Sequence, residues 1–234
     1  MTDDRDLQGV DPYDAMDQEA ERLYRFFTTI DGAVWSRPTR CAGWDVRDLL
    51  GHLRASEDYN RASLDGRVQD LLVQFGERGA TDLDSANALG IADYADVPTD
   101  VLAEDWHTVQ ADTRKRLRER DGGTIDSTVG EYSARWQACH LAAELATHAD
   151  DMAVPGPANE EPARTQWRAA MSRFMIKEVK PDVVVSSEGG TTTYRAGDLS
   201  GTMSDTDFVE LVMARDPSDA KIGPDVRGAL SMMS

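Results

Sequence analysis

The chain is poor in cysteine and in positive charge, and each shortage limits the class of protein. It has two cysteines, Cys41 and Cys139, too few and too far apart in sequence for a disulfide framework. Reduced thiols of this kind are typical of intracellular proteins. It has 25 basic and 43 acidic residues, which gives a net charge of -18. Because proteins that bind nucleic acid usually present a basic stripe to the phosphates, this balance argues against a nucleic-acid partner.

Long apolar runs are also missing. No stretch approaches the roughly 20 apolar residues that cross a bilayer. The first 20 residues are acidic and lack the apolar centre of a secretory signal peptide. We therefore expect a cytoplasmic protein with no membrane partner. Its 40% hydrophobic residues are enough to build a buried core.

Helical spacing of apolar residues dominates the first two thirds of the chain. Asp45 is a candidate N-cap, and Pro155 with its neighbours ends the last helix of this part. The segment 65–97 has weaker periodicity, with glycines and a following proline, and predicts a long irregular connection. Four helices are predicted, at 12–31, 45–64, 99–120 and 132–152.

The last third changes in character. A helix is predicted at 162–178, followed by a β-hairpin whose strands 182–187 and 191–195 flank Glu188-Gly189-Gly190. One more helix is expected at 205–214, and the end reads as irregular. The order of elements predicts an α+β fold, with a helical bundle at residues 1–155 and a small α+β domain at residues 156–234.

A glutamate and a histidine four residues apart carry the first chemical signal. Glu144 and His148 lie on the predicted helix 132–152, where a spacing of four places side chains on nearly one face. Together they could clamp a divalent metal ion. Asp151, three residues further along, could hold the imidazole of His148 from behind.

His52 is the best candidate for a third ligand. It lies in the apolar-rich run 46–53, and facing helices of a bundle commonly build metal sites from inward histidines and carboxylates. Two imidazoles and one carboxylate leave a coordination position open, which is typical of a catalytic site. From spacing alone, a surface pair of Glu144 with His148 and a core position for His52 remain open interpretations.

Two segments resemble the signatures of one family. Residues 43–53, GWDVRDLLGHL, are similar to a signature of DinB-like bundles and, more narrowly, of the N-terminal domain of mycothiol-dependent maleylpyruvate isomerases. Residues 144–151, ELATHADD, resemble the second signature of that family, E-x-x-x-H-x-x-D. The order and separation of the two segments also match, over roughly residues 12–153.

The resemblance implies a DinB-like four-helix bundle followed by a small C-terminal α/β piece. It also implies zinc or another divalent metal, held by His52, Glu144 and His148, and a thiol cofactor, mycothiol. A free thiol with a pKa of about 8.5 is mostly protonated at neutral pH. A coordinating metal deprotonates it and makes it a nucleophile.

The reaction implied is S-transfer to an electrophilic small-molecule substrate, or isomerisation as in the maleylpyruvate isomerases. Three alternatives stay open. One is a thiol exchange or transfer enzyme of natural-product biosynthesis, another a metal-dependent hydrolase that uses metal-bound water, and the third a non-catalytic metal-binding regulatory module. A homodimer is also left open.

Further residues complete the predicted site. Arginines near the motifs could bind a carboxylate of the substrate or thiol, because guanidinium pairs bidentately with carboxylate. Surface salt bridges for the arginines and packing for the tryptophans are the competing interpretations. Cys41 or Cys139 as a protein nucleophile is a separate hypothesis, although Cys139 reads better as a small buried residue. The predicted catalytic residues are Arg47, His140 and Asp151, and the predicted cofactor-binding residues are Trp44, Arg54, Arg135 and Trp136.

Overall fold

The protein forms two compact units, described in a computed structural model for residues 4–218 and 222–232. One unit spans Pro12–Pro155, and the other joins Gly156–Ser234 with Met1–Asp11. The boundary predicted from the sequence assigns the first residues to the bundle. The structure instead ties them to the second unit, where Asp6 Oδ2 lies 2.5 Å from Lys177 Nζ.

Six helices build the first unit. The helices predicted at 12–31, 45–64, 99–120 and 132–152 are confirmed, each with ends within two residues of the expected ones. Close approaches join α1 to α5 and α6, and α2 to α5, which gives a four-helix bundle. Together with the three-stranded antiparallel sheet of the second unit, this bundle confirms the α+β class. The helices are α1 Pro12–Thr29, α2 Val46–Asp65, α3 Val68–Glu77, α4 Leu83–Asp93, α5 Thr99–Glu119 and α6 Ala134–Asp151, with the short strands β1 Thr124–Ile125 and β2 Tyr132–Ser133 before α6.

The start of α2 is fixed by a capping box. The carboxylate of Asp45 accepts the Asp48 backbone N–H at 2.9 Å, and the carboxylate of Asp48 accepts the Asp45 N–H at 3.1 Å. Both otherwise unpaired donors at the helix start are thereby satisfied. From this fixed start, Leu49, Leu50 and Leu53 pack inward and are buried.

The expectation of an irregular 65–97 segment is wrong, because this segment contains α3 and α4. Of these two helices, α3 buries only Val68 and leaves Leu72 and Val73 exposed, so it adds little to the core. A glycine brings α4 against α2. A Cβ added at Gly90 would lie 2.8 Å from the Cβ of Ala55, so a side chain there would force the helices apart.

The second unit packs helices against a small antiparallel sheet. The helix predicted at 162–178 is α7 Glu161–Val179, and the predicted hairpin is β3 Val184–Glu188 with β4 Thr191–Ala196. A third strand, β5 Leu199–Ser204, follows β4 in the order β3-β4-β5 and was not predicted, and α8 is Asp205–Val212. Gly201, which faces the ring of Tyr194, weakens the strand signal of β5.

The end of the chain is also more regular than expected, since Pro224–Leu230 forms α9. The core of this unit joins α7, α8 and the sheet through Ile176, Phe208 and Tyr194. Within the described residues, none of the helices is both long and apolar enough to cross a membrane.

Candidate metal centre

The three predicted ligands meet between α2 and α6. His52 Nε2 lies 3.4 Å from Glu144 Oε1, and the rings of His52 and His148 lie 5.0 Å apart, edge to face. One ligand atom from each of the three residues lies within 4.8 Å of the other two. Two helices remote in sequence therefore bring together two imidazoles and a carboxylate at distances that one ion could bridge.

The surroundings keep the carboxylate of this group ionised. His52 and His148 are buried, whereas about a third of the Glu144 side chain, 32%, is exposed. Burial alone would raise the pKa of Glu144. The hydrogen bond to His52 and the charges of both histidines outweigh it, so the pKa lies below its usual value. An ionised carboxylate is the form that a divalent cation binds.

Ser56 orients Glu144 from the opposite helix. Its hydroxyl donates a hydrogen bond to Glu144 Oε1 at 3.3 Å. Ser56 lies one turn after His52 on α2, so both residues present polar groups to the same carboxylate. Sequence reasoning missed Ser56, although its spacing of four from His52 was a signal.

Asp151 contacts His148 on α6, while its predicted catalytic role stays a prediction. Asp151 Oδ2 lies 3.1 Å from His148 Nδ1, and the Asp151 side chain is fully buried. A neutral imidazole that donates Nδ1–H to a carboxylate has its free lone pair on Nε2. Carboxylates in this position fix the tautomer and the ring orientation of a metal-binding histidine.

The turn before α2 brings a thiol to the same place. Cys41 Sγ lies 3.2 Å from Asp151 Oδ2 and 4.0 Å from His148 Nδ1. Two contacts fix this turn on the end of α6: the Arg40 backbone N–H donates to the Asp151 carbonyl at 3.1 Å, and Arg37 donates to the Met152 carbonyl. Cys41 is therefore held beside the histidine by contacts that Arg37 and Arg40 make with backbone carbonyls at the end of α6.

A glycine makes that turn possible. Gly43 has a φ of +82°, in the left-handed region that favours glycine, and the Trp44 backbone N–H donates to the Cys41 carbonyl at 3.0 Å. The chain then enters α2 with Trp44 beside the ligands, its ring 5.1 Å from the ring of His52. The glycine and tryptophan of the first signature thus shape one wall of the site. A cofactor-binding role for Trp44 stays a prediction.

The guanidinium of Arg47 contacts backbone rather than the ligand group. It donates to three carbonyl oxygens of the turn that follows α4. These contacts fasten the end of α4 to the start of α2. Its predicted catalytic role stays a prediction. The acceptors are the carbonyls of Tyr94 at 2.5 Å, Ala95 at 2.9 Å and Val97 at 2.8 Å.

Arg54 is buried and paired with carboxylates of the bundle itself. Its Nε lies 2.5 Å from Asp105, its Nη1 lies 2.9 Å from Asp58, and its guanidinium stacks over the ring of Tyr94 at 4.9 Å. Arg54 was expected to bind a carboxylate of the substrate or thiol, and in the structure it binds carboxylates of the protein itself. Its predicted cofactor role stays a prediction.

The remaining predicted residues lie around the start of α6. Tyr132 Oη is 3.0 Å from His140 Nε2, and the Tyr132 ring packs edge-on against Trp136 at 5.8 Å. Arg135 Nη1 lies 3.9 Å from Asp121. The catalytic role of His140 and the cofactor-binding roles of Arg135 and Trp136 stay predictions.

Comparison with known proteins supports the resemblance found in the sequence. A family model described as the mycothiol maleylpyruvate isomerase N-terminal domain matches residues 16–153, a range that contains all three predicted ligands. The chain is similar to the crystal structure of a mycothiol-dependent maleylpyruvate isomerase, with a TM-score of 0.55 and 14% identity over 77% of this chain and 75% of that one. A histidine-to-alanine mutant of such an isomerase matches over the same shares, with a TM-score of 0.54. At this identity the likeness shows the fold. A search of curated proteins gives no match.

Proposed function

The chain belongs to the family of the mycothiol maleylpyruvate isomerase N-terminal domain, and from this premise we propose that it is a metal-dependent enzyme that uses a low-molecular thiol. Mycothiol is the thiol that the family name points to. The observation that carries the proposal is the group His52, Glu144 and His148, whose ligand atoms lie within 4.8 Å of one another.

The donor set fits a divalent ion such as zinc. Imidazole nitrogen and carboxylate oxygen are common zinc ligands, and three protein ligands with one open position are typical of catalytic zinc. A divalent ion bound there lowers the pKa of a coordinated thiol and keeps the sulfur as a thiolate. Three ligands that carry a single negative charge leave one positive charge on the bound ion, which an anionic sulfur would neutralise.

The surrounding side chains then have distinct tasks. Asp151 retains the proton of His148 on Nδ1 and fixes the direction of the ring. Ser56 orients the Glu144 carboxylate through its hydroxyl. Trp44 packs beside His52 and shields this side of the site from water, which strengthens electrostatic interactions there.

The proposed reaction begins with addition of the thiolate to an activated double bond of an electrophilic substrate. Rotation about the resulting single bond and loss of the same thiolate then complete an isomerisation, whereas in S-transfer the sulfur displaces a leaving group and stays on the product. Isomerase-like chemistry comes first because it is what the name of the family describes. A cytoplasmic location is part of the proposal, since thiols are kept reduced there.

The test is turnover of maleylpyruvate and a panel of electrophiles by the zinc-loaded protein, with and without mycothiol. His52→Ala and His148→Ala are expected to lose both bound metal and thiol-dependent turnover. His107→Ala is the matched control, because the contacts of His107 are with α1 and not with the ligand group. It pairs with Glu21 at 3.1 Å and stacks on Tyr24.

Each contrary outcome selects a different function. Full turnover in His52→Ala or His148→Ala contradicts the proposed metal chemistry. Turnover that needs the metal but no added thiol indicates a hydrolase. Stoichiometric metal without turnover of any electrophile indicates a regulatory metal-binding module.

A further inference from the structure

His148 also belongs to a second group of possible ligands, together with Cys41 and Asp151. We propose that this second group is a binding position for a thiophilic divalent cation, such as Cd²⁺, which competes with the catalytic ion for His148. The site itself goes beyond the proposed function. Only the competition with the catalytic ion rests on that function, because both ions would need His148.

The distances suit a single ion. With the bonds of roughly 2.0–2.3 Å that zinc makes to nitrogen, oxygen and sulfur, ligand atoms around a tetrahedral ion lie roughly 3.3–3.6 Å apart, and the larger Cd²⁺ holds them somewhat further apart. The three separations here are 3.1 Å for His148 Nδ1 to Asp151 Oδ2, 3.2 Å for Cys41 Sγ to Asp151 Oδ2, and 4.0 Å for Cys41 Sγ to His148 Nδ1. Adjustments of about half an ångström place all three ligands on one ion.

The charges favour a different kind of ion from that of the first group. A thiolate and a carboxylate cancel the charge of a divalent cation, so the second group forms a neutral complex around the buried Asp151. Burial opposes a net charge much more than a neutral assembly. The thiolate also selects soft, thiophilic metals over those that prefer oxygen. Arg40 Nε lies 3.9 Å from the other oxygen of Asp151, Oδ1.

One histidine cannot serve both groups as a neutral ligand. A neutral imidazole has one nitrogen that carries a proton and one with a lone pair for a metal. Binding at Nδ1 moves the ring proton to Nε2 and releases the Cys41 thiol proton to solvent. With its proton on Nε2, His148 is no longer a ligand beside His52 and Glu144. The two positions therefore exclude each other.

The experiment is a cadmium titration of the metal-free, full-length protein, followed by the ultraviolet charge-transfer absorption of a sulfur–cadmium bond. We expect this absorption to saturate at one ion per chain. It should persist in His52→Ala, which removes a ligand from the first group alone, and in Cys139→Ala, which removes the other thiol. It should be absent in Cys41→Ser.

A second measurement guards against a misfolded Cys41→Ser variant. The ¹¹³Cd NMR shift of the wild-type protein reports directly whether one sulfur is bound to the ion, and one sulfur is expected. A cadmium signal with nitrogen and oxygen ligands only, a band that persists in Cys41→Ser, or a band lost in His52→Ala would each overturn the proposal. These readouts need no turnover, so they stand or fall apart from the proposed enzymatic function.

Discussion

The pKa values of two glutamates of the bundle are shifted in opposite directions. Glu144 lies between two imidazoles, and its pKa is lowered. Glu57, on α2, is buried between neutral groups: Asn60 donates to it at 3.3 Å and Thr113 at 2.5 Å. Burial raises the pKa of Glu57 to about 7, an effect that these two hydrogen bonds only partly offset.

Two differences separate these carboxylates. Glu57 is buried, whereas about a third of the Glu144 side chain is exposed. Glu144 also has two imidazoles beside it, and an imidazole that can become cationic stabilises a carboxylate more than a hydroxyl or an amide does. The negative charge of Glu144 itself raises the pKa of Glu57, while Arg54 lowers it. The interior thus contains one carboxylate ready for a cation and one that is a neutral acid below neutral pH.

The largest effect is expected at the histidine that both ligand groups share. His148→Ala should lower zinc affinity by more than about 100-fold, beyond the loss typical of groups around the ligands, and should abolish both thiol-dependent turnover and the cadmium–sulfur absorption. His52→Ala should also lower zinc affinity and abolish thiol-dependent turnover, but it should keep the cadmium–sulfur absorption. Metal affinity is measured by competition with a chromophoric chelator. Identical behaviour of the two variants would contradict the separation into two groups.

We expect Glu57 to make the stability of the protein depend on pH. Glu57 has a folded-state pKa of about 7 against an ordinary 4.5, so its contribution to stability is full below pH 4.5 and is lost as the pH rises through 7. The loss amounts to at most about 3 kcal/mol in the free energy of unfolding. Glu57→Gln stays neutral and should lack this loss.

Urea unfolding of the wild type and Glu57→Gln between pH 5 and about 9 measures the difference, because other titrating groups contribute to both proteins alike. The variant should gain stability relative to the wild type as the pH rises. Parallel profiles would show that Glu57 titrates normally and that the contrast between the two glutamates does not hold.

A smaller effect is expected from the carboxylate behind His148. Asp151→Asn keeps the size of the side chain and removes its charge, so zinc affinity should fall by about 10- to 100-fold. Asp150→Asn, one residue away, is the control for the loss of a charge at the end of α6. If the two variants bind zinc equally well, Asp151 does not position His148.

The smallest effect is expected at the hydroxyl on α2. Ser56→Ala removes one hydrogen bond to Glu144 and should weaken zinc binding by about 5-fold, corresponding to about 1 kcal/mol. Ser56→Thr retains the hydroxyl and should restore most of the affinity. Equal losses in both variants would point to packing rather than to the hydrogen bond.

Much of this site could be predicted from the sequence because its determinants are local. The spacing of Glu144, His148 and Asp151 on one helix fixes their shared face, and Asp45 fixes the start of the helix that carries His52. Two short segments in the right order then identified the family.

Other features depend on contacts between distant segments and leave little trace in the sequence. Cys41 reaches Asp151 only because the turn before α2 is fastened to the end of α6, 110 residues further along the chain. Glu57 follows Leu53 by four residues and so shares the buried face of α2, but its partner Thr113 comes from α5 and is not marked by any local spacing. The arginine chemistry was anticipated, but the partners of Arg54 are Asp58 and Asp105 of the same bundle.

The central claim is that a thiol reaches a metal held by His52, Glu144 and His148. X-ray absorption at the zinc edge of the Cys41→Ser protein tests it most directly, since removing Cys41 leaves the added thiol as the sulfur source at the site. We expect nitrogen and oxygen scatterers alone before mycothiol is added, and one sulfur at about 2.3 Å afterwards. A spectrum that still shows no sulfur at mycothiol concentrations that saturate turnover would contradict it.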